Sequence, residues 1–262
     1  MTRVAQRLMT PLMAIALIAA CRSAHAAPVS DAAIVAPFRQ ANELYRGGRF
    51  EDAAEAYRAI LSRGVESGAL YYNFGNALAK AGHVGQALWA YLEAERLAPR
   101  DPDVQANLAY IIGELRPEAQ AGVEALLRQR RLAGLGLRLT TEELTIAWLV
   151  LLWAAALTWI AVGFSAQASA RLRPIAIALS VAAVLAGAGM AARRLLLDGI
   201  PRAVVVADQA EAKFAPQDSS TTHFVVPEGS VIRRMEEELG WVQVRRPDGQ
   251  SGWVRRDAVK AL

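Results

Sequence analysis

Cysteine is almost missing. The 262 residues contain one, Cys21, which excludes an intramolecular disulfide and any cysteine-rich metal site. Histidine is nearly as scarce, at three. His83 and His223 fall in regions of different character, and His25 sits in a segment that export would remove. The Cys/His pair of a wall-cleaving peptidase therefore has no source. His83 lies beside Gly82 in a turn with no ligand type at i+3 or i+4, and reads as solvated. G-x-S-x-G and Walker motifs are absent, and Gly134-x-Gly136 has neither the third glycine nor the preceding strand of a dinucleotide loop. The acid pairs Asp101/Asp103 and Glu142/Glu143 flank helix starts, where capping accounts for them. The expectation is a protein that is not an enzyme and uses no cofactor or metal.

Charge is thin too, at 21% of residues against 54% hydrophobic, with a mean hydropathy of +0.20. That balance excludes a disordered tail or linker protein. The net charge of +4 is no nucleic-acid signature. Arg3, Arg7 and Arg22 lie in the first 26 residues, and without those three of the 29 basic groups, 26 remain against 25 acidic. Residues 27–113 hold eight basic and ten acidic groups, and residues 197–262 hold nine and ten. Neither region has the one-signed surface that phosphate binding requires, so no nucleic-acid partner is expected.

What the chain does have is apolar sequence in three runs, 9–20, 144–164 and 174–192. The first follows Arg3 and Arg7 and is too short to span a bilayer, so residues 1–26 read as a signal peptide. Two processing sites stay open. Ala24-His25-Ala26 would release Ala27, whereas Ile18-Ala19-Ala20-Cys21 resembles a lipobox that would leave Cys21 lipidated. After a short segment, 27–36, the chain continues outside the cytoplasm.

The other two runs predict transmembrane helices over 143–164 and 174–192. Leu144–Phe164 has no charge and would extend about 31 Å at ~1.5 Å per residue. Thr140 and Glu143 form a capping box before it, and Pro174 suits the first turn of the second helix. A loop over 165–173 makes the pair an antiparallel hairpin in the lipid bilayer. Ala176, Ser180, Ala183 and Gly187 line one face of the second helix, to pack against a first helix bearing Trp148, Trp153 and Trp159. Residues 114–142 read as a linker with an amphipathic basic stretch at Arg128, Arg130 and Arg131, and 193–201 as a second linker. The export signal places both soluble parts in the periplasm, at a bacterial inner membrane. The arginines flanking the spans argue the other way, but long domains translocate largely regardless of nearby charge.

Between signal and spans the sequence repeats. A shift of 34 residues carries Ala41-Asn42-Glu43-Leu44 onto Gly75-Asn76-Ala77-Leu78, Gly48 onto Gly82, Ala53 onto Ala87 and Tyr57 onto Tyr91. Small residues at these places let paired helices approach, and Tyr57 and Tyr91 fill the space between pairs. Residues 37–113 resemble tetratricopeptide repeats, with Tyr71, Phe74, Gly75, Leu78, Gly82, Ala87, Tyr91, Ala94 and Pro99 at signature positions. The resemblance implies all-α helical hairpins whose first helices hold a peptide. Asn42 and Asn76 then either bind its backbone or simply face water. Places that carry basic residues in carboxylate-binding relatives hold Phe38, Tyr72 and Ala106, with Tyr110 where another basic residue would follow. An aromatic-lined groove with Tyr45, Arg46 and Lys80 nearby is expected instead.

Beyond residue 202 the runs Ala203–Ala207, His223–Pro227, Ser230–Met235, Trp241–Arg246 and Gly252–Arg255 alternate with turn signals such as Pro247-Asp248-Gly249. These predict a small all-β barrel over 202–262, with Val204, Val206, Val242, Val244 and Val254 in its core. Gly240-Trp241-Val242 and Gly252-Trp253-Val254 make it similar to a bacterial SH3 domain. Trp241, Arg245, Trp253 and Arg255 are its candidate binding residues. The pairs Arg233-Arg234, Arg245-Arg246 and Arg255-Arg256 either form a basic strip or are neutralised by acids such as Glu236, Glu237 and Glu238.

The order of signal, repeats, membrane hairpin and SH3-like barrel resembles the BatE-like members of the aerotolerance operon (Bat) family. That resemblance implies a non-enzymatic membrane scaffold. Its protein partners would be von Willebrand factor A-domain membrane proteins and a MoxR-type ATPase system. An envelope protein whose barrel binds peptidoglycan is the alternative.

Overall fold

The computed structural model describes residues 31–133, 140–164, 166–194 and 201–262. The signal peptide, Cys21 and both processing sites lie outside the described residues, as does most of the second linker. The chain divides after Val65 into two compact units, taken here in turn.

The first unit contains α1 (Asp31–Arg46) and α2 (Phe50–Leu61), a hairpin whose turn passes through Gly48 at φ 75°. Ala41, Ala53, Ala54, Tyr57 and Ile60 are buried. The second unit opens with α3 (Gly68–Ala81) and α4 (Val84–Leu97), turned at Gly82 with φ 90°. The same closing bond recurs 34 residues apart. Arg49 N–H donates to Leu44 O at 3.0 Å, and His83 N–H donates to Leu78 O at 2.9 Å. Glycine is required at both turns because the left-handed conformation costs a side chain about 1–2 kcal/mol. Helix α5 (Pro102–Gly113) starts from Asp101, whose carboxylate accepts from Asp103 N–H and Val104 N–H.

Residues read as a linker turn out to hold a packed helix, α6 (Pro117–Ala133). Ala119, Val123, Leu126 and Leu127 are buried along one side, and Arg130 reaches Leu92 O at 3.0 Å and Glu95 at 3.1 Å. Arg130 therefore belongs to the helical core rather than to a free basic surface. Next come α7 (Thr141–Phe164) and α8 (Ala166–Arg193), both long and apolar enough to cross a membrane. The capping box forms reciprocally, Thr140 N–H to Glu143 at 2.9 Å and Glu143 N–H to Thr140 Oγ1 at 3.1 Å. Helix α8 begins at Ala166, so most of the expected loop is helical and Pro174 lies inside the helix. Ala, Gln, Leu and Arg are good helix formers, and they outweigh the one backbone bond that Pro174 forgoes.

The small-residue stripe faces α7. Trp148 Nε1–H donates to Ala183 O at 2.9 Å and Trp159 Nε1–H to Ser180 Oγ at 3.0 Å, so both indoles find acceptors. Trp153 does not join them and stays 59% exposed on another face.

The barrel comprises β1 (Arg202–Val205), β2 (Gln209–Lys213), β3 (Thr222–Pro227), β4 (Val231–Glu238), β5 (Trp241–Arg245), β6 (Ser251–Arg255) and β7 (Val259–Ala261). All pairings are antiparallel, in the order β3-β2-β6-β5-β4-β1-β7. Its core gathers Ala203, Val205, Ala210, Ala212, Val226, Ile232, Val242, Val244, Val254 and Val259. The β1 register thus differs by one residue from the expected Val204/Val206 alternation. Both faces of β1 are covered, one by the barrel core and the other by α4, which removes the polar positions that alternation relies on.

The barrel sits directly on the helices. Trp89 Nε1–H donates to Ala261 O at 2.7 Å, Arg202 to Gln129 Oε1 at 2.6 Å, and Gly85 N–H to Glu228 Oε1 at 2.5 Å. Glu228 thereby satisfies one of the orphan amides at the α4 N-terminus, where the helix dipole also favours an anion. Leu115 packs over Gly229.

Candidate functional site

Each helical hairpin places one asparagine in the same setting. In the first unit Tyr57 O–H donates to Asn42 Oδ1 at 2.6 Å, and in the second Tyr91 O–H donates to Asn76 Oδ1 at 2.7 Å. An aromatic ring one turn earlier leans on each tyrosine. Phe38 meets Tyr57 edge-on at 5.9 Å, and Tyr72 meets Tyr91 tilted at 6.2 Å. The tyrosines are buried, at 1% and 3% exposed, whereas the asparagines are half-buried. Gly75 makes the second arrangement possible, because a Cβ there would lie 2.8 Å from the Tyr91 ring.

A hydroxyl donating to Oδ1 fixes the amide's orientation. It also leaves the two Nδ2 hydrogens of each asparagine without a partner among the described residues. Asn107 Nδ2 adds a second donor to Asn76 Oδ1 at 2.7 Å and approaches Tyr72 Oη at 3.2 Å. Asn107 was not among the expected residues. It lies 31 residues beyond Asn76 and so falls outside the 34-residue shift. Tyr110, three residues further along α5, is 66% exposed. Lys80 is exposed in the last turn of α3. In the first unit Tyr45 packs edge-on against Phe50 at 5.4 Å, and Arg46 is exposed in the last turn of α1.

Burial, together with the nearby Tyr45, pushes the Tyr57 phenol up to about 12, against an opposing pull from Arg46. The ordinary value is about 10. A raised folded-state value favours the neutral phenol, so its stabilisation is complete below about pH 10 and is lost as pH rises through about 12. Absorbance titration at the phenolate band, comparing the chain with Tyr57→Phe, should show one tyrosine missing only from the last part of the curve. A difference centred near pH 10 would contradict this.

On the barrel, Trp241 is buried, with the Arg255 guanidinium 5.0 Å and Lys213 Nζ 5.9 Å from its ring centre. Arg255 is held by both oxygens of Asp218 at 2.7 Å. Arg246 pairs with Asp248 at 3.2 Å, while Arg256 at 2.9 Å and Arg234 at 3.9 Å share Glu237. Arg245 donates to Ser251 Oγ at 3.0 Å, and Trp253 is half-buried opposite Gln243. Phe214 is 62% exposed and stacks on His223 at 4.2 Å, an aromatic ledge that sequence reading passed over. A depression of about 480 Å3 is lined by Arg234, Glu237, Arg256, Asp257 and Lys260, charges of both signs. Among the described residues no group of three His, Cys, Asp or Glu could hold a metal.

No curated protein matches the chain. A family model does match part of it, the Bacterial SH3 domain over residues 214–260. The matched stretch holds β3 to β6 and most of β7, and β1 and β2 complete the same sheet. The chain therefore carries a bacterial SH3 domain, joined to a helical region that includes two apolar helices long enough to span a membrane.

Proposed function

We propose that the protein is a membrane-anchored periplasmic scaffold that captures an extended segment of a partner protein on the first helices of tetratricopeptide hairpins. The observation that carries this reading is the Asn76 amide. Tyr91 and Asn107 hold its oxygen, and its two N–H groups have no partner among the described residues, which leaves them for a peptide carbonyl. Tyr72 and Tyr110 supply aromatic surface on the same two helices. The order of segments supports a place among Bat-type complexes, with von Willebrand factor A-domain membrane proteins and a MoxR-type ATPase system as partners. No catalytic step is assigned to any residue.

Crosslinked pull-down of the full chain from membranes tests this. Asn76→Asp keeps the acceptor and removes the donors, so the captured segment should be lost while the fold persists. Capture that is unchanged in Asn76→Asp and in Asn76→Ala/Tyr72→Ala refutes the groove.

A second reading, peptidoglycan binding by the SH3 domain, is favoured by the exposed Phe214–His223 ledge, a flat apolar surface on which a sugar ring can lie. On that reading the detergent-solubilised full chain sediments with purified sacculi and Phe214→Ala does not. Failure of the unsubstituted chain to sediment removes it.

A further inference from the structure

Four of the six arginines in the barrel's dipeptide pairs are taken up by acids, namely Arg234, Arg246, Arg255 and Arg256. The other two are not. Arg233 makes no hydrogen bond or ion pair among the described residues, and Arg245 bonds only the Ser251 hydroxyl. These two are direct cross-strand partners, and Arg233 is also the direct partner of Arg202. Directly opposed residues share a sheet face, so Arg202, Arg233 and Arg245 form one row across β1, β4 and β5. Their neighbours Ile232 and Val244 point into the core, which puts Arg233 and Arg245 on the outside, whereas Arg202 is half-buried on the helix-covered face of β1.

Like charges placed directly opposite destabilise a sheet, and Arg233 and Arg245 are such a pair. Among the described residues no acid pairs with either Arg233 or Arg245. Glu236, Glu237 and Glu238 sit at the other end of β4, beside the turn into β5. Helix α6 adds to the excess instead. Arg202 is bonded to Gln129, and Arg128 and Arg131 beside it are exposed and form no ion pair among the described residues. Glu124, one turn before Arg128, makes no ion pair with it within 4.0 Å.

The row is also close to the membrane along the chain. Arg202 follows Arg194, at the end of the second span, by eight residues, a reach of at most about 28 Å. Helix α6 ends eight residues before the first span begins.

We propose that Arg233 and Arg245, with Arg128 and Arg131, form a bilayer-facing edge and bind the phosphate groups of anionic phospholipids around the hairpin. The contact fixes how the barrel and its helices stand on the membrane, independently of what the Asn76 face captures.

The test uses the full chain with Gln250→Cys and Cys21→Ser, so that one fluorophore sits next to Ser251 at the end of the row. The labelled chain goes into nanodiscs of phosphatidylcholine, with or without phosphatidylglycerol, doped with a headgroup-quencher lipid. Quenching should require phosphatidylglycerol and fade in about 0.5 M salt, where the screening length falls to a few ångströms. The equilibrium constant for the quenched state should drop about fivefold for each arginine lost in Arg233→Gln/Arg245→Gln. Arg233→Lys/Arg245→Lys should restore it, and Arg246→Gln, which removes an already paired charge, should change it little. Equal quenching in both lipid mixtures, or full quenching in the double Gln variant, overturns the proposal. So does a lack of phosphatidylglycerol-dependent quenching in a chain whose label is instead shielded by purified sacculi.

Discussion

Alanine at Gly229 lowers the melting temperature of the full chain by about 4–10 °C, whereas alanine at Gly249 lowers it by about 2–4 °C, at ~2 °C per kcal/mol. Both glycines have positive φ, 76° and 92°, so both substitutions incur the left-handed penalty of about 1–2 kcal/mol. They differ in what the new methyl group meets. At Gly249 there is nothing within 4 Å, whereas at Gly229 the Cβ would lie 2.4 Å from Leu115 Cδ2 and 2.9 Å from Cδ1. Leu115 is 7% exposed and has little room to rotate away, so overpacking adds about 1–3 kcal/mol. The difference between the two variants therefore measures the seat of the barrel on the helices. Leu115→Ala alone opens a cavity and costs about 2–5 kcal/mol. Combined with Gly229→Ala it should cost less than the two together, because the added methyl enters the vacated space. Strict additivity in that cycle, or equal losses at Gly229 and Gly249, contradicts the seating.

That seat was the least legible feature in the sequence. Gly85 and Glu228 are 143 residues apart, and Trp89 and Ala261 are 172 apart. Neither pair belongs to a periodic pattern, since each joins a helix to a barrel that has its own signals. The signals for helices and barrel are separate, and α6 reads as part of a linker because seven of its 17 residues are polar or charged. Its apolar positions Ala119, Val123, Leu126 and Leu127 matter only with the neighbouring helices in place. Strand β2 was missed for a related reason. Gln209-Ala-Glu-Ala-Lys favours helix by composition, yet Ala210 and Ala212 alternate into the barrel core. What could be read were features with local causes, including the glycines of the 34-residue shift, the Thr140/Glu143 cap and the two apolar spans. The arginine pairs were visible as residues. Which of them lack an acid depended on strand register, as in Arg233 opposite both Arg202 and Arg245.

Asn76 can be separated into a structural half and a binding half, because its oxygen and its amide hydrogens have different partners. Asn76→Ala removes the acceptor of Tyr91 O–H and Asn107 Nδ2 at once. The Tyr91 hydroxyl and Asn107 both lose that acceptor, at a cost of about 1–3 kcal/mol together, and the melting temperature of the helical region falls accordingly. Adding Tyr91→Phe removes the hydroxyl that lost its acceptor and should recover part of that loss. Asn76→Asp presents an oxygen to both donors and should melt like the original chain. Its effect appears in capture instead. With no N–H to offer, it leaves a partner carbonyl unsatisfied and sets a carboxylate against it, a loss of about 2–3 kcal/mol, or roughly 30- to 150-fold in affinity. If Asn76→Asp melts normally and captures the partner normally, the amide simply faces water and the groove lies elsewhere. If it melts early, Tyr91 and Asn107 do not hold the oxygen as described. Stable folding with lost capture is the result that joins the repeated Tyr–Asn contact to recognition.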